Sequence, residues 1–207
     1  MQLDEIAKKI SKQFPETVTC HLVHGELTIE VLPAELVLIC TLLQAEPYAF
    51  EQLLDLCGVD YLHYDGSKDK PRFAVVYHLL SITYNLRLRI RCYCNEREGS
   101  TNDPTKIPVV PSIVDVWRSA NWYEREAFDL FGIVFIGHPD LQRILMDCDF
   151  RDHPLRKDFP LVGKHEVYYD AATQQVEYKP VTIEERTIIK KTTAVACGHL
   201  PVTKEKQ

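Results

Sequence analysis

The sequence predicts an α+β fold: a mixed or antiparallel sheet with helices on one side, followed by an extended C-terminal tail. Three observations carry this expectation. Two long β-rich runs, Phe73 to Thr83 and Asn85 to Cys94, are adjacent and predict one antiparallel hairpin. Helix-period and strand-period segments surround them in mixed order, with no strand, Gly-rich loop and helix unit for a dinucleotide or a phosphate. Beyond Pro160 the apolar periodicity thins, dividing the chain into a globular domain at 1–160 and a tail at 161–207.

At the amino terminus, Leu3, Ile6, Ala7 and Ile10 recur at helical spacing, with Asp4 and Glu5 before Lys8 and Lys9 as the helix dipole prefers. This start has neither the apolar run of a signal peptide nor the composition of a transit peptide, so it reads as a cytoplasmic terminus. Thr17 to Leu22 and Glu26 to Val31 predict strands joined at His24-Gly25. Pro33 opens a helical pattern through Leu36, Ile39, Cys40 and Leu43, which Pro47 ends. Phe50, Leu53, Leu54 and Cys57 then fit a second helix from Tyr48 to Cys57, stopped by Gly58, with a strand at Val59 to Tyr64 and a polar turn after it. In the hairpin, Leu86, Leu88, Ile90, Cys92 and Cys94 alternate with Arg87, Arg89, Arg91 and Tyr93, giving one apolar and one basic, wet face. Asn95 to Pro108 reads as a loop by composition, and Glu166 to Tyr169 and Gln175 to Tyr178 as short β-like pieces of the tail.

The 207 residues are 45% hydrophobic and 26% charged, the balance of a folded soluble protein. A net charge of -6 leaves no basic excess for nucleic-acid phosphates. No apolar run approaches the roughly 20 residues that span a bilayer; Leu36 to Leu43 is too short. The seven cysteines include no CxxC pair and no histidine at finger spacing, so neither a disulfide framework nor a zinc or iron–sulfur site is expected. His21 and His24, on the first hairpin, have no acidic or thiol companion in the sequence around them and read as surface residues.

The densest information lies in Trp117 to Pro160, where 14 charged side chains and two His-Pro pairs alternate with large apolar residues. Charges so interleaved are not simply solvated; they hold something or do chemistry. Ser119 to Phe131 is helical with Gly132 as its stop, and Arg125 and Asp129, four apart, share a face and can pair. A short strand follows at Ile133 to Ile136, then a turn at Gly137-His138-Pro139. As chemistry, Glu126, Asp129, His138 and Asp140 offer an oxygen-and-imidazole set for a divalent metal. As structure, the carboxylates accept from Arg125, Arg143, Arg151 and Arg156 in a partly buried ion-pair network.

The run ERExxDLFGIxFxGHPDLxRIL at Glu124 to Leu145, followed by HPLRKDFPL, resembles the 30-kilodalton subunit family of respiratory complex I, the bacterial NADH-quinone oxidoreductase. The likeness extends over roughly Leu36 to Val181. It departs from the family pattern at Gln142, where Arg is usual, and at Arg151-Asp152, where a Gly is usual before His153-Pro154; a non-Gly residue there resists positive φ. The resemblance implies a peripheral-arm subunit without catalytic residues, cofactor or metal of its own, peripheral to the bacterial inner membrane on its cytoplasmic side. FMN and iron–sulfur clusters would belong to partner subunits, which pass electrons from NADH to quinone with proton translocation. The chief partner would be the large, 49-kDa quinone-site subunit. Glu124, Arg125, Glu126, Asp129, His138, Arg143, Arg156, Lys157 and Asp158 would then be structural or partner-contacting. An equivalent subunit of a related membrane-bound hydrogenase would share these features.

Overall fold

The computed structural model describes residues 2–64, 66, 70–97, 107–147, 150–163 and 165–183. The chain divides into two compact units, Met1–Phe159 and Pro160–Gln207.

The first unit opens with helix α1 (Leu3–Gln13), which buries Ile6 and Ile10 against strands β1 (Val18–Val23) and β2 (Glu26–Val31). His24 and Gly25, with φ of 52° and 78°, close this hairpin in the left-handed geometry its twist requires. Pro33 starts a short 3-10 turn that runs into α2 (Leu36–Gln44), whose Leu36, Ile39, Cys40 and Leu43 enter the core. Strands β3 (Gln52–Asp60), β4 (Phe73–Ser81) and β5 (Leu86–Tyr93) follow. The five strands form one sheet in the order β1-β2-β5-β4-β3, antiparallel except for the central β2·β5 pair. Parallel pairing of β2 with β5 places the hairpin of the first thirty residues beside a strand sixty residues later, so the sheet is mixed.

The pleat sorts this sheet into two faces. Leu27, Ile29, Leu88, Ile90, Cys92, Val75, Tyr77, Leu79, Leu53 and Leu56 point inward, into one core with the buried residues of the helices. On the other face, the Arg89 Nη2 sits 2.7 Å from Glu26 and its Nε donates to Thr28 at 3.1 Å, while Arg91 pairs with Glu30, which Lys70 also reaches at 3.3 Å. The strand carrying the arginines is basic, as its alternation predicts, yet its parallel neighbour supplies the compensating carboxylates. Glu30 also lies 3.8 Å from His21, an acidic companion that the local sequence does not reveal.

Three expectations give way here. The segment read as a helix from Tyr48 to Cys57 is mostly strand β3, and β3 ends at Asp60 rather than running on to Tyr64. The reason is a β-bulge: the register against β4 shifts between Leu53 and Asp55, so Leu53 and Leu56, three residues apart, both face inward. That spacing imitates one helical turn. Asn95 to Pro108 is likewise not all loop. Strands β6 (Asn95–Arg97) and β7 (Ile107–Pro111) pair antiparallel, and β7 pairs in parallel with β8 (Val134–Ile136). Prolines at 108 and 111 disguise β7.

Between β7 and β8 lies α3 (Ala120–Phe131), packed on the inner side of β3. Gly58 on β3 allows this approach, because a Cβ there would stand 2.7 Å from Phe131 Cδ2 and 3.1 Å from Ile133 Cδ1. The described residues of the second unit include an antiparallel hairpin, β9 (His165–Asp170) and β10 (Gln175–Pro180). Residues 184–207, the remainder of the expected tail, lie outside the described residues.

Replacing Gly58 with Ala is expected to lower the stability of the chain by about 2 kcal/mol through overpacking, read as a lower urea midpoint at unchanged slope. An unchanged midpoint would show that α3 does not rest on this strand.

Candidate functional site at the end of the third helix

Several residues of the Trp117–Pro160 stretch, Arg143, His153 and Arg156 among them, gather at the end of α3, and one carboxylate anchors them. Asp129 is fully buried in the last turn of the helix. Its Oδ2 accepts the backbone N–H groups of Ile144, Leu145 and Met146 at 3.0, 2.8 and 2.9 Å, and its Oδ1 accepts Arg143 Nη1 at 2.8 Å. Burial pushes this carboxyl up, and the donations from Met146, Leu145, Arg143 and Ile144 outweigh it, leaving Asp129 below the ordinary carboxylate range.

The helix ends at Gly132 in the left-handed region, φ 71°, as its stop signal predicts. Three carbonyls then need partners, and all three find them in the segment that Asp129 draws back. Asp129 O accepts from Arg143 Nη1 at 3.3 Å and lies 2.9 Å from His153 Nδ1. Leu130 O accepts the Leu155 N–H at 3.1 Å, and Phe131 O accepts Arg156 Nε at 2.6 Å. A carbonyl can only accept, so His153 carries its proton on Nδ1. Burial lowers the His153 pKa below its ordinary value, and the nearby Arg156 and Arg143 add to this against the raising effect of the bond to Asp129 O. Guanidinium groups at a helix C-terminus also suit the negative end of its dipole.

A second cluster ties the same segment to the sheet. Arg72, just before β4, forms two-point contacts with Asp60 at 2.7 and 2.9 Å and with Asp158 at 2.9 and 3.0 Å. Asp60 further accepts the backbone N–H of Leu62 at 3.0 Å and of Lys157 at 2.9 Å. Arg72 and Arg156 both lie over the Phe73 ring, at 4.7 and 5.1 Å. Nothing near Asp60 or Arg72 in the sequence marks them as parts of one cluster with Asp158, because the Arg72–Asp158 bridge spans 86 residues.

At the other end of α3, Glu124 is fully buried. Ser112 Oγ donates to it at 2.6 Å and the Ile113 N–H at 2.8 Å, which pins the β7–α3 connection. With only two neutral donors, burial prevails and pushes its carboxyl up to about 7. Close by, Trp117 Nε1 donates to Phe50 O at 3.2 Å and Tyr123 OH to Leu54 O at 3.0 Å, the latter serving the bulged residue of β3.

The remaining expected site residues take other places. Arg125 does not pair with Asp129; its Nε donates to Gln142 O at 3.1 Å and its guanidinium stacks over the Trp122 ring at 5.1 Å. Asp129 points away from it because four donors from the far side claim both oxygens. Glu126 and Asp140 are exposed, and Asp140 Oδ1 takes the Gln142 amide at 2.6 Å. His138 lies 3.2 Å from Asn121 O through Nε2 and accepts the Asp140 N–H at its Nδ1, 3.0 Å away, so both ring nitrogens are occupied. The four residues considered as a metal set are thus not gathered, and among the described residues no group of three His, Cys, Asp or Glu side chains is placed to hold a metal. Lys157 contributes its backbone, with its side chain exposed. Asp152 does not adopt a positive φ, so the turn before His153 tolerates a residue other than Gly; its carbonyl accepts Arg143 at 3.2 Å.

Residues 29–165, a span that runs from within β2 through β8 and the charged cap, match the family described as respiratory-chain NADH dehydrogenase, 30 Kd subunit. The chain belongs to this family. Curated relatives agree. The corresponding NADH-quinone oxidoreductase subunit of Burkholderia multivorans is 55% identical over 166 residues, 79% of each chain. Those of Coxiella burnetii and Acidithiobacillus ferrooxidans are 48% and 47% identical, covering 80% and 90% of this chain and 81% and 90% of their own. Among solved structures, a trypsin-resistant fragment (1–134) of Nqo5 superposes with a TM-score of 0.57 at 32% identity, over 68% of this chain and all of the fragment. A membrane-bound sulfane sulfur reductase, an archaeal respiratory membrane complex, shares the fold with a TM-score of 0.58 at 21% identity, over 77% of this chain and 86% of its own. No helix among the described residues of this chain is long and apolar enough to cross a membrane.

Glu124 generates a test. An acid whose folded pKa is raised from 4.5 to about 7 binds its proton more tightly when folded, so stability is greatest below pH 4.5 and falls as pH rises to 7. Measured as the difference between wild type and Glu124→Gln, whose amide oxygen still accepts the Ile113 N–H while its amide N–H can donate to Ser112 Oγ, the loss across that window is expected to reach about 3 kcal/mol. Parallel stability–pH curves for the two proteins would contradict this.

Proposed function

We propose that this subunit acts without catalytic residues, metal or cofactor of its own, in the peripheral arm of a proton-translocating NADH-quinone oxidoreductase on the cytoplasmic side of a bacterial inner membrane. In this reading it secures the arm beside the large, 49-kDa quinone-site subunit. FMN and iron–sulfur clusters of other subunits carry the electrons from NADH to quinone.

The observation that carries the proposal is how the signature charges are used. Asp129 gives its oxygens to four donors, Arg143, His153 and Arg156 serve helix carbonyls, and Asp158 closes on Arg72. Groups held this way fix a shape, and the buried Asp129 carboxylate has both oxygens taken up by donors. The four-residue metal set, the competing reading, is not gathered among the described residues as metal-dependent hydrolysis needs. A place in a membrane-bound hydrogenase is the neighbouring alternative; 47–55% identity to NADH-quinone oxidoreductase subunits favours the quinone-reducing machine. Nickel-binding cysteines in the partner's sequence would reverse that preference.

The tail from about Leu161 onward is proposed to wrap its partner. That the similar Nqo5 chain is known as a trypsin-resistant fragment (1–134) fits a core that withstands protease and a remainder that does not. The chain, affinity-tagged and recovered from native membranes, is expected to bring down the other oxidoreductase subunits. Released from them, it is expected to hold no stoichiometric metal or flavin and to lose the region after Leu161 to trypsin. Tight metal with stand-alone hydrolysis, or a tail fully protected in the isolated chain, would contradict the proposal.

A further inference from the structure

The β9–β10 hairpin carries more pattern than a passive tail needs. Its register sets Tyr169 opposite Val176 and Val167 opposite Tyr178, so these four share one face. Each stays largely exposed, at 64, 60, 57 and 55%. The opposite face holds Glu166 opposite Lys179, Tyr168 opposite Glu177 and Asp170 opposite Gln175. There the polar groups serve one another. Lys179 Nζ sits 2.9 Å from Glu166 and 5.3 Å over the Tyr168 ring, Tyr168 OH donates to Glu177 at 2.9 Å, and Asp170 accepts the Ala172 N–H at 2.9 Å and Thr173 Oγ1 at 3.1 Å.

We propose that this hairpin is a docking element: the Val167, Tyr169, Val176 and Tyr178 face seats on an apolar, basic-rimmed surface of a neighbouring protein subunit, with the polar face turned to water. The inference rests on the reading that the tail engages a partner in the assembly, and adds which face does so and what it meets. A two-stranded ribbon is marginal by itself in water and gains its stability from whatever covers its apolar side. Two tyrosines and two valines are the kind of rigid anchors that interface centres use.

Charge selects the occupant. The two strands carry three carboxylates, Glu166, Asp170 and Glu177, against one lysine, Lys179. That excess of two negative charges repels an anionic lipid surface, which recruits basic amphipathic elements instead. It also opposes pairing with a second copy, whose hairpin carries the same net negative charge. A protein surface with an apolar floor and Lys or Arg at its margin satisfies both conditions.

The test uses the full chain, tagged and expressed in place of the host's own copy of this subunit, with the photo-crosslinking residue benzoylphenylalanine introduced at Tyr169 or, as the opposite-face control, at Tyr168. Irradiated membranes are solubilised and the adducts identified by mass. The expected result is a crosslink from position 169 into another subunit of the assembly, about tenfold stronger than from position 168. Equal or stronger labelling from 168, an adduct of twice the chain's mass, or adducts to lipid alone would overturn the docking face. Co-purification separates the two ideas. A chain that brings down its assembly yet labels through the wrong face sinks this inference only, whereas a chain that brings down no subunit sinks the proposed function and the inference with it.

Discussion

The carboxylate of Asp129 is the constraint from which the second half of the core unit follows. It is buried, it is charged, and it sits in the last turn of α3, where the helix dipole already disfavours an anion. Such a group is tolerated only when hydrogen bonds replace the water it has lost. The chain supplies them from the backbone of residues 144–146 and from Arg143, so the segment after β8 must fold back over the helix. Once it has done so, His153, Leu155 and Arg156 stand where the helix's last carbonyls need them, and Gly132 leaves room for the His153 and Arg156 side chains that a Cβ would strike.

The folded-back segment in turn reaches the sheet. Asp158 meets Arg72, which holds Asp60 at the end of β3, and Lys157 donates its backbone N–H to the same carboxylate. At the opposite end of α3, Glu124 grips the connection from β7, while Trp117 and Tyr123 bond to carbonyls around the bulge of β3. The helix is therefore fastened at both ends to strands that come from distant parts of the chain. Its most exposed aromatic, Trp122, lies under the Arg125 guanidinium instead of in the core.

Much of this was legible in the residues. Alternation in Leu86 to Cys94 placed the two inward cysteines and the outward arginines correctly, and Gly132 marked the end of α3. The signature also pointed to its family by its residues alone. What stayed hidden shares one physical cause, namely that partners distant in sequence leave no local trace. The bulge at Leu54 gave β3 a helix-like spacing, the prolines of β7 masked a strand completed by β6 and β8, and the Arg125–Asp129 pair suggested by spacing lost to four donors from beyond residue 142. Asp60 and Arg72 carried no signal because their role exists only when Asp158 arrives.

In the proposed function, the charged stretch maintains the shape of a subunit and takes no part in electron transfer. Asp129→Asn puts this most directly to the test, since it replaces an acceptor ringed by donors with a group that offers N–H to some of them. The measurement is NADH:quinone turnover divided by the amount of assembled oxidoreductase in the membrane. The account predicts several-fold less assembled complex with turnover per complex unchanged. Normal assembly with turnover lost would contradict it.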